Sequence, residues 1–380
     1  MKSTYKKLGI IGGVTLAVAS IVFFAAPHVF SVVYDRTQPE EELAVKNKIT
    51  KTEKASEVKV LDTVAYDAKM LALANLPPPL PPTPEKIITN KDGTKTVIPA
   101  KQPAPVVHNW PVKTAYPKAG ALLPFNRIVA YYGNFYSTKM GILGEYSETE
   151  VLRRLAEETK KWNEADPTTP VMPAIDYIAV TAQLSPGPAK KYRLRMPDSQ
   201  IDKAIAMAGK INGIVILEIQ PGLSTFQEEI PALEKYLKMP QVHLALDPEF
   251  AMKNGARPGT VIGSVSASDI NWAANYLANL VRVHNLPPKV LVVHRFTRPM
   301  VTGYKTITPL PEVQIVMDMD GWGSPAKKNG TYKNIVAHEP VQFTGFKLFY
   351  KNDLKAPSTR LLTTTDLLSL TPRPIFVQYQ

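Results

Sequence analysis

"VHLALDPEF", residues 242–250, begins as a buried strand and ends on two acids. In an extended chain successive side chains alternate faces. His243, Ala245, Asp247 and Glu249 therefore share one face, and Val242, Leu244, Leu246 and Phe250 the other. The acids come late, at the C-terminal end of the strand. A hydrated strand end or an N-cap for the next helix would explain one such pair. Chemistry requires that other strands finish the same way.

They do. "GIVILEIQPG" (213–222) places Ile214, Ile216, Glu218 and Gln220 on one face, and "VQIVMDMDGWG" (313–323) sets Gln314, Val316, Asp318 and Asp320 opposite Val313, Ile315, Met317 and Met319. Ala174 and Asp176 obey the same rule in "VMPAIDYIAV" (171–180), Val290, Val292 and His294 in "KVLVVHRF" (289–296), and Phe376, Gln378 and Gln380 in "PIFVQYQ" (374–380). With "RIVAYYG" (127–133) and "GFKLFYKND" (345–353) there are eight strand-like segments. Helical patterns at 147–165, 197–211, 223–238 and 266–284 separate them. Ser147 and Ser266 stand where N-caps belong, with Glu150 and Asp269 at capping-box spacing. This rhythm predicts an α/β fold, a (β/α)8 TIM-type barrel with irregular last crossovers; an open doubly wound sheet is the alternative.

If these faces point inward, the barrel has an apolar lower half and an acidic mouth at the strand C-termini, where barrel enzymes carry their sites. The candidate catalytic residues are Asp247, Glu249, Asp318, Asp320 and Glu218. Candidate substrate contacts are Asp176, Gln220, His294, Tyr132, Trp322, Lys351 and Gln378. Tyr131, Phe135 and Tyr136 add aromatic surface near the end of the first strand. Converging like charges raise one another's pKa. Neutralising Glu249, Asp318 or Asp320 is thus expected to leave stability unchanged or raise it by about 1–2 kcal/mol.

Carboxylates in two protonation states are what glycoside hydrolysis needs, one to protonate the leaving oxygen and one to attack or to activate water. A non-catalytic glycan-binding or envelope scaffold protein is the alternative. A divalent-metal-dependent hydrolase stands third, with Mg²⁺, Mn²⁺ or Ca²⁺ on the acids. The absence of H-E-x-x-H leaves no metal ligand assigned, and His294 reads as an orienting hydrogen-bond donor. No cofactor is expected beyond such a cation. "GSVSASD" lacks the G-x-S-x-G elbow, and neither "VIGSVS" nor "GILGEYS" is a dinucleotide fingerprint.

The chain has 380 residues, room for a barrel of about 250 and its appendages. Cys is absent, which excludes disulfides, thiolate zinc sites, a cysteine nucleophile and a lipid-bearing cysteine. Lys2, Lys6 and Lys7 precede residues 8–34, which carry no charged side chain. That run is longer than the roughly 20 residues a helix needs to span a bilayer. It is expected to be a single-pass signal anchor, residues 1–7 staying cytoplasmic and the rest exported; a secretion signal cleaved near Ala25 and Ala26 is the alternative. Residues 35–111 read as a Pro-rich stalk, with a helix-compatible stretch at 57–76, polyproline-like "LPPPLPPTPEK" (76–86) and a hairpin around Asp92-Gly93, and the barrel is assigned to 112–380. A deletion ending near Val112 is therefore expected to fold. The net charge of +12 suits a carbohydrate or anionic envelope polymer. No basic recognition helix or aromatic RNA-binding motif is present, so nucleic acid is not expected as a partner.

In their order, "LEIQPG", "LALDPEF", "VIGSVSASDIN", "VVHRF" and "MDGWG" resemble a family of exported bacterial (β/α)8-barrel proteins of unassigned activity whose layout is glycoside-hydrolase-like. The resemblance covers residues 125–380 and implies an envelope location and a barrel, with no catalytic residue to carry over. The chain departs from the chitinase-type D-x-x-D-x-D-x-E, because "VMDMDGWG" ends without the Glu. It also lacks paired Glu residues at the ends of strands four and seven, where strand seven offers Lys347, Tyr350, Lys351 and Asp353.

Overall fold

The computed structural model describes residues 60–78, 81–82, 84–100 and 108–380. Eight parallel strands form its centre: β1 Arg127–Gly133, β2 Val171–Ala182, β3 Ile214–Ile219, β4 Val242–Leu246, β5 Lys289–Arg295, β6 Val313–Met319, β7 Phe343–Leu348 and β8 Phe376–Tyr379. Each pairs with its sequence neighbours and β8 pairs with β1, so the sheet closes on itself as a TIM-type barrel. A three-residue segment, Arg193–Arg195, pairs antiparallel with the end of β2.

Besides a single turn at Ile142–Glu145, the helices among the described residues are α1 Thr63–Ala74, α2 Glu148–Ala165, α3 Asp198–Lys210, α4 Phe226–Ala232, α5 Glu234–Leu237, α6 Ala267–Val283, α7 Pro325–Thr331 and α8 Thr364–Leu368. Ser147 caps α2 by accepting from the Glu150 amide, and Ser266 with Asp269 forms a reciprocal capping box on α6. The single helix expected over 223–238 is two. Pro231 lies inside α4, where it has no amide hydrogen to give, and the helix stops at Ala232. The crossovers after β6 and β7 are irregular, as their sequence suggested: their helices have only seven and five residues, and a π-helical turn, Tyr332–Val336, follows the first.

Period-two alternation divides the apolar residues into two cores. Outward-facing Ile175, Leu217, Leu244, Leu291 and Ile315 pack against helical side chains such as Leu155, Trp162 and Leu277. Inward-facing Ile128, Ala130, Ala174, Ile216, Ala245, Val292, Val316 and Phe376 fill the barrel. Mixing Ala with Ile and Phe lets the inner layers interdigitate. Two polar residues deep on the inward faces are satisfied locally: Gln314 donates to the Leu123 carbonyl (2.6 Å) and accepts from its amide (3.0 Å), and His243 Nδ1 accepts from the Val290 amide (3.0 Å).

The lower end of the barrel is closed by a segment that the sequence pattern assigned to the stalk. Tyr66 and Met70 of α1 join the inner core with Leu123, Ile128 and Ile375. The Leu73 carbonyl accepts from the Arg373 amide (2.8 Å), and the Asn75 side chain donates to the Leu370 carbonyl (2.8 Å). Among the described residues α1 and the barrel accordingly belong to one compact unit. The helix belongs with the barrel because its apolar stripe is what covers the barrel's open end. The expected hairpin is present, Lys86–Thr89 pairing with Lys95–Ile98 around Gly93 at φ 82°, with all of these strand residues exposed. Among the described residues no helix is long and apolar enough to cross a membrane. The anchor expected at 8–34 lies outside the described residues.

Candidate active site

The inward faces end together, as the alternation implied. Tyr132 (β1), Glu218 (β3), His294 (β5), Asp318 (β6), Lys347 (β7) and Gln378 (β8) are all buried near the C-terminal ends of their strands, Asp176 is buried at the middle of β2, which runs on to Ala182, and Gln220, Asp247 and Asp320 sit just beyond their strands. One expectation needs correcting. β4 stops at Leu246, and Pro248–Phe250 is a 3₁₀ turn, so Glu249 is not carried by strand alternation. Asp247 caps that turn, its Oδ1 accepting from the Glu249 amide at 3.0 Å, while its Oδ2 faces Gln220. The strand-end acid is therefore both a cap and a member of the cluster. Glu249 rides on the turn and is only half-buried.

His294 is the hub. Its Nδ1 donates to Asp318 Oδ2 at 3.0 Å and lies 3.6 Å from Asp320 Oδ2, while Nε2 lies 2.9 Å from Glu218 Oε2. The last pair is close enough for attraction but is not aligned as a hydrogen bond. Gln220 organises the opposite side. Its Oε1 accepts from the Ala182 amide (3.2 Å), and its Nε2 faces Glu218 Oε1 (3.0 Å), the Tyr132 hydroxyl (3.2 Å) and Asp247 Oδ2 (3.3 Å). Tyr132 in turn donates to Glu218 Oε1 at 2.8 Å, and Gln378 Nε2 donates to Asp176 Oδ2 at 2.5 Å. Lys347 Nζ lies 3.1 Å from Asp320 Oδ1 and 3.8 Å from the centre of the Tyr132 ring. Gly345 faces inward beside Asp318, and a Cβ there would stand 2.5 Å from Asp318 Oδ1, so only glycine leaves room.

Burial and mutual charge separate these groups. Burial, followed by the Glu218 charge, holds the Asp176 and Asp247 carboxyls well above the usual range. Burial also raises Asp318, against the pull of His294. Glu249 is pushed up to about 7, by burial first and the Asp320 charge second. Burial alone would raise Glu218 as well, but His294 and Lys347 keep it below its ordinary value. Burial opposes charge on His294 and on Lys347, yet the surrounding carboxylates hold both above their ordinary values. The mouth is thus not uniformly acidic. It holds retained protons on some acids and paired charges on others.

Two candidate contacts lie apart from this cluster. Lys351 is exposed and pairs with Glu145 at 2.5 Å. Trp322 is half-buried, with the ammonium groups of Lys327 and Lys355 over its ring at 5.0 and 5.2 Å. Tyr131 faces outward against Tyr350 and Tyr379, Phe135 stacks on Tyr177, and Tyr136 is 63% exposed; only Tyr132 of that aromatic run enters the mouth. Lys347 is the residue that sequence reasoning missed. Phe343, Gly345 and Lys347 alternate on β7 as the other inward positions do, so the period-two rule applied there would have found it. One atom each of Asp176, Glu218 and His294 lie within 4.8 Å of one another, a spacing that could hold a metal ion.

No protein-family model and no curated protein matches the chain. Among solved structures it is similar to the cellulose synthase subunit Z of Clostridioides difficile (11% identity, TM-score 0.34, covering 67% of this chain and 91% of that one). It is similar also to a ruminal GH26 endo-beta-1,4-mannanase (12%, 0.33, 67% and 59%) and to the Bacillus subtilis mannanase BCman (12%, 0.35, 68% and 82%). The chemistry of the site rests on its own residues.

Proposed function

We propose that the mouth cleaves a glycosidic bond by acid–base catalysis, with Glu249 as proton donor and Asp320 as the partnering carboxylate. The observation that carries this reading is the pairing of unlike environments at one barrel end. Asp320 is clamped by Lys347 at 3.1 Å, while Glu249, on its half-buried turn, retains a proton up to about pH 7. A carboxyl that keeps its proton to neutral pH beside a carboxylate paired with an ammonium gives a donor and an anionic partner at one site. Glu218, Asp318 and His294 support this pair from below, and Tyr132, Gln220 and Asp247 line the approach.

The test is release of reducing ends from a panel of neutral and acidic polysaccharides, with and without divalent ions, by wild type, Glu249→Gln and Asp320→Asn. Wild type should cleave at least one, and each variant should lose about 10²–10⁴-fold. No cleavage of any polymer would sink the hydrolytic reading. The stereochemistry of the first product then decides whether Asp320 attacks the sugar or activates water.

A second reading, glycan binding without turnover, draws on the complete burial of Asp176, Glu218 and Asp318, which keeps them from touching a polymer. In that case Glu249→Gln would bind a polysaccharide as well as wild type does. In both readings residues 8–34 anchor the chain in a membrane with the barrel outside, where carbohydrate or anionic envelope polymer is the partner. The uncharged run behind Lys2, Lys6 and Lys7 supports this location, and protease digestion of the barrel on intact cells tests it.

A further inference from the structure

We infer that Asp176, Glu218 and His294 form a binding site for one divalent transition-metal ion beneath the mouth. Their side chains come from β2, β3 and β5 and have zero exposure. Asp176 Oδ1, Glu218 Oε2 and His294 Nε2 lie within 4.8 Å of one another, and none of the three has a hydrogen-bond partner among the described residues. Three buried polar atoms that face one another without a directed hydrogen bond, two of them held only by charge attraction, are disfavoured unless something satisfies them together. A single cation does so.

The opposite atom of each ligand is already held. Asp176 Oδ2 accepts from Gln378, Glu218 Oε1 accepts from Tyr132 and Gln220, and His294 Nδ1 donates to Asp318 at 3.0 Å. A carboxylate on the far nitrogen of a ligating histidine fixes the ring and directs the other nitrogen at an ion. The 2.9 Å between His294 Nε2 and Glu218 Oε2 is poorly directed for a hydrogen bond. It is close to the separation of about 3 Å between two ligands at right angles around an ion with bonds of about 2.1 Å.

One imidazole and two carboxylates suit Mn²⁺ or Zn²⁺ better than Ca²⁺, which takes six to eight oxygens. Buried in this way, the ion is a resident one that ties three strands together under Glu249 and Asp320. The inference stands apart from the hydrolytic reading, since a chain that binds the ion and cleaves nothing would satisfy it.

The experiment uses the full chain in detergent, purified without chelator, stripped with EDTA and titrated calorimetrically with Mn²⁺, Zn²⁺ and, as a control, Ca²⁺. One Mn²⁺ or Zn²⁺ per chain is expected, with an upward shift in unfolding temperature that Ca²⁺ does not reproduce. Gln378→Ala, which removes the hydrogen bond behind Asp176, and Asp318→Asn, which removes the negative charge behind His294, should weaken binding about 10–100-fold, and Asp176→Asn should weaken it further. Loss of a buried carboxylate can itself unfold the chain, so wild type carries its own readout. The Mn²⁺ form should show coupling to a single imidazole nitrogen in pulsed electron paramagnetic resonance. No stoichiometric binding to wild type would leave His294 and Glu218 as a plain ion pair and overturn the inference. So would a bound Mn²⁺ that shows no nitrogen coupling, because that ion sits elsewhere.

Discussion

Lys347 Nζ reaches Asp320 Oδ1 at 3.1 Å inside the barrel mouth, and both side chains are less than a tenth exposed. The pair joins the ends of β6 and β7 and changes what neutralising Asp320 does. In a purely acidic cluster that change would relieve repulsion. Here it leaves a buried ammonium without its nearest counter-charge.

Asp320→Asn and Lys347→Met should each destabilise the fold by about 3 kcal/mol, the usual consequence of breaking a buried ion pair from one side. The double variant should recover part of that loss, because it leaves neither charge stranded. Urea unfolding of the four proteins checks this. Equal, additive losses would mean that the two side chains act independently.

Glu249 keeps the sign expected from sequence. Its folded pKa of about 7 stands above the ordinary value of 4.5. The folded state therefore holds the proton more tightly, and stability falls as pH rises from about 4.5 to 7 and stays lower above that. At about 1.4 kcal/mol per unit the effect is at most about 3 kcal/mol, reduced because the side chain meets solvent. Glu249→Gln should remove this slope and be the more stable protein above pH 7. The same titration predicts an alkaline limb in the rate profile near pH 7. Melting curves and rates from pH 4 to 9 test both.

Gly345→Ala should destabilise by about 1–3 kcal/mol, since the new methyl stands 2.5 Å from Asp318 Oδ1 and 2.8 Å from the Phe376 ring. Asp318 would be displaced from His294. The imidazole resonances of His294 should shift in this variant while those of His338 do not.

A deletion ending at Glu57 should leave the melting temperature of the barrel unchanged. One ending at Pro111 removes α1 and exposes Leu123, Ile128 and Ile375, which Tyr66 and Met70 cover. At about 1.5–3 kcal/mol for each large apolar side chain, that loss is a large share of a domain's 5–15 kcal/mol. Aggregation of the shorter protein and solubility of the longer one are the expected results, which reverses the expectation drawn from sequence for a boundary near Val112.

The barrel was legible because period two is a local rule: Ile216 and Glu218, or Val316 and Asp318, reveal their common face without any knowledge of their neighbours. Glu249 was assigned to the right end of the barrel for a wrong reason, since Pro248 ends the strand before it and a turn carries it. Two features were not legible. That Lys347 points at Asp320 depends on which strands adjoin, and that α1 closes the barrel depends on a return of the chain across many residues. The inward position of Lys347 is legible from alternation on β7, but neither its pairing with Asp320 nor the closure by α1 leaves a mark in local spacing. Trp322 and Lys351 lie apart from the buried cluster because, past a strand's end, alternation no longer fixes direction.

The Gln220 amide has its orientation set from outside the cluster, because its oxygen must receive the Ala182 backbone hydrogen. Its nitrogen must then face inward, the Tyr132 oxygen must receive, and the Tyr132 hydrogen is left to point at Glu218. The sequence of donors runs one way, from a peptide group at the end of β2 to a carboxylate on β3. Turning the amide over would orphan the Ala182 hydrogen and present an oxygen to the Glu218 carboxylate. The backbone of a strand end thus sets the polarity of the barrel's interior, deciding which oxygen of Glu218 is already taken.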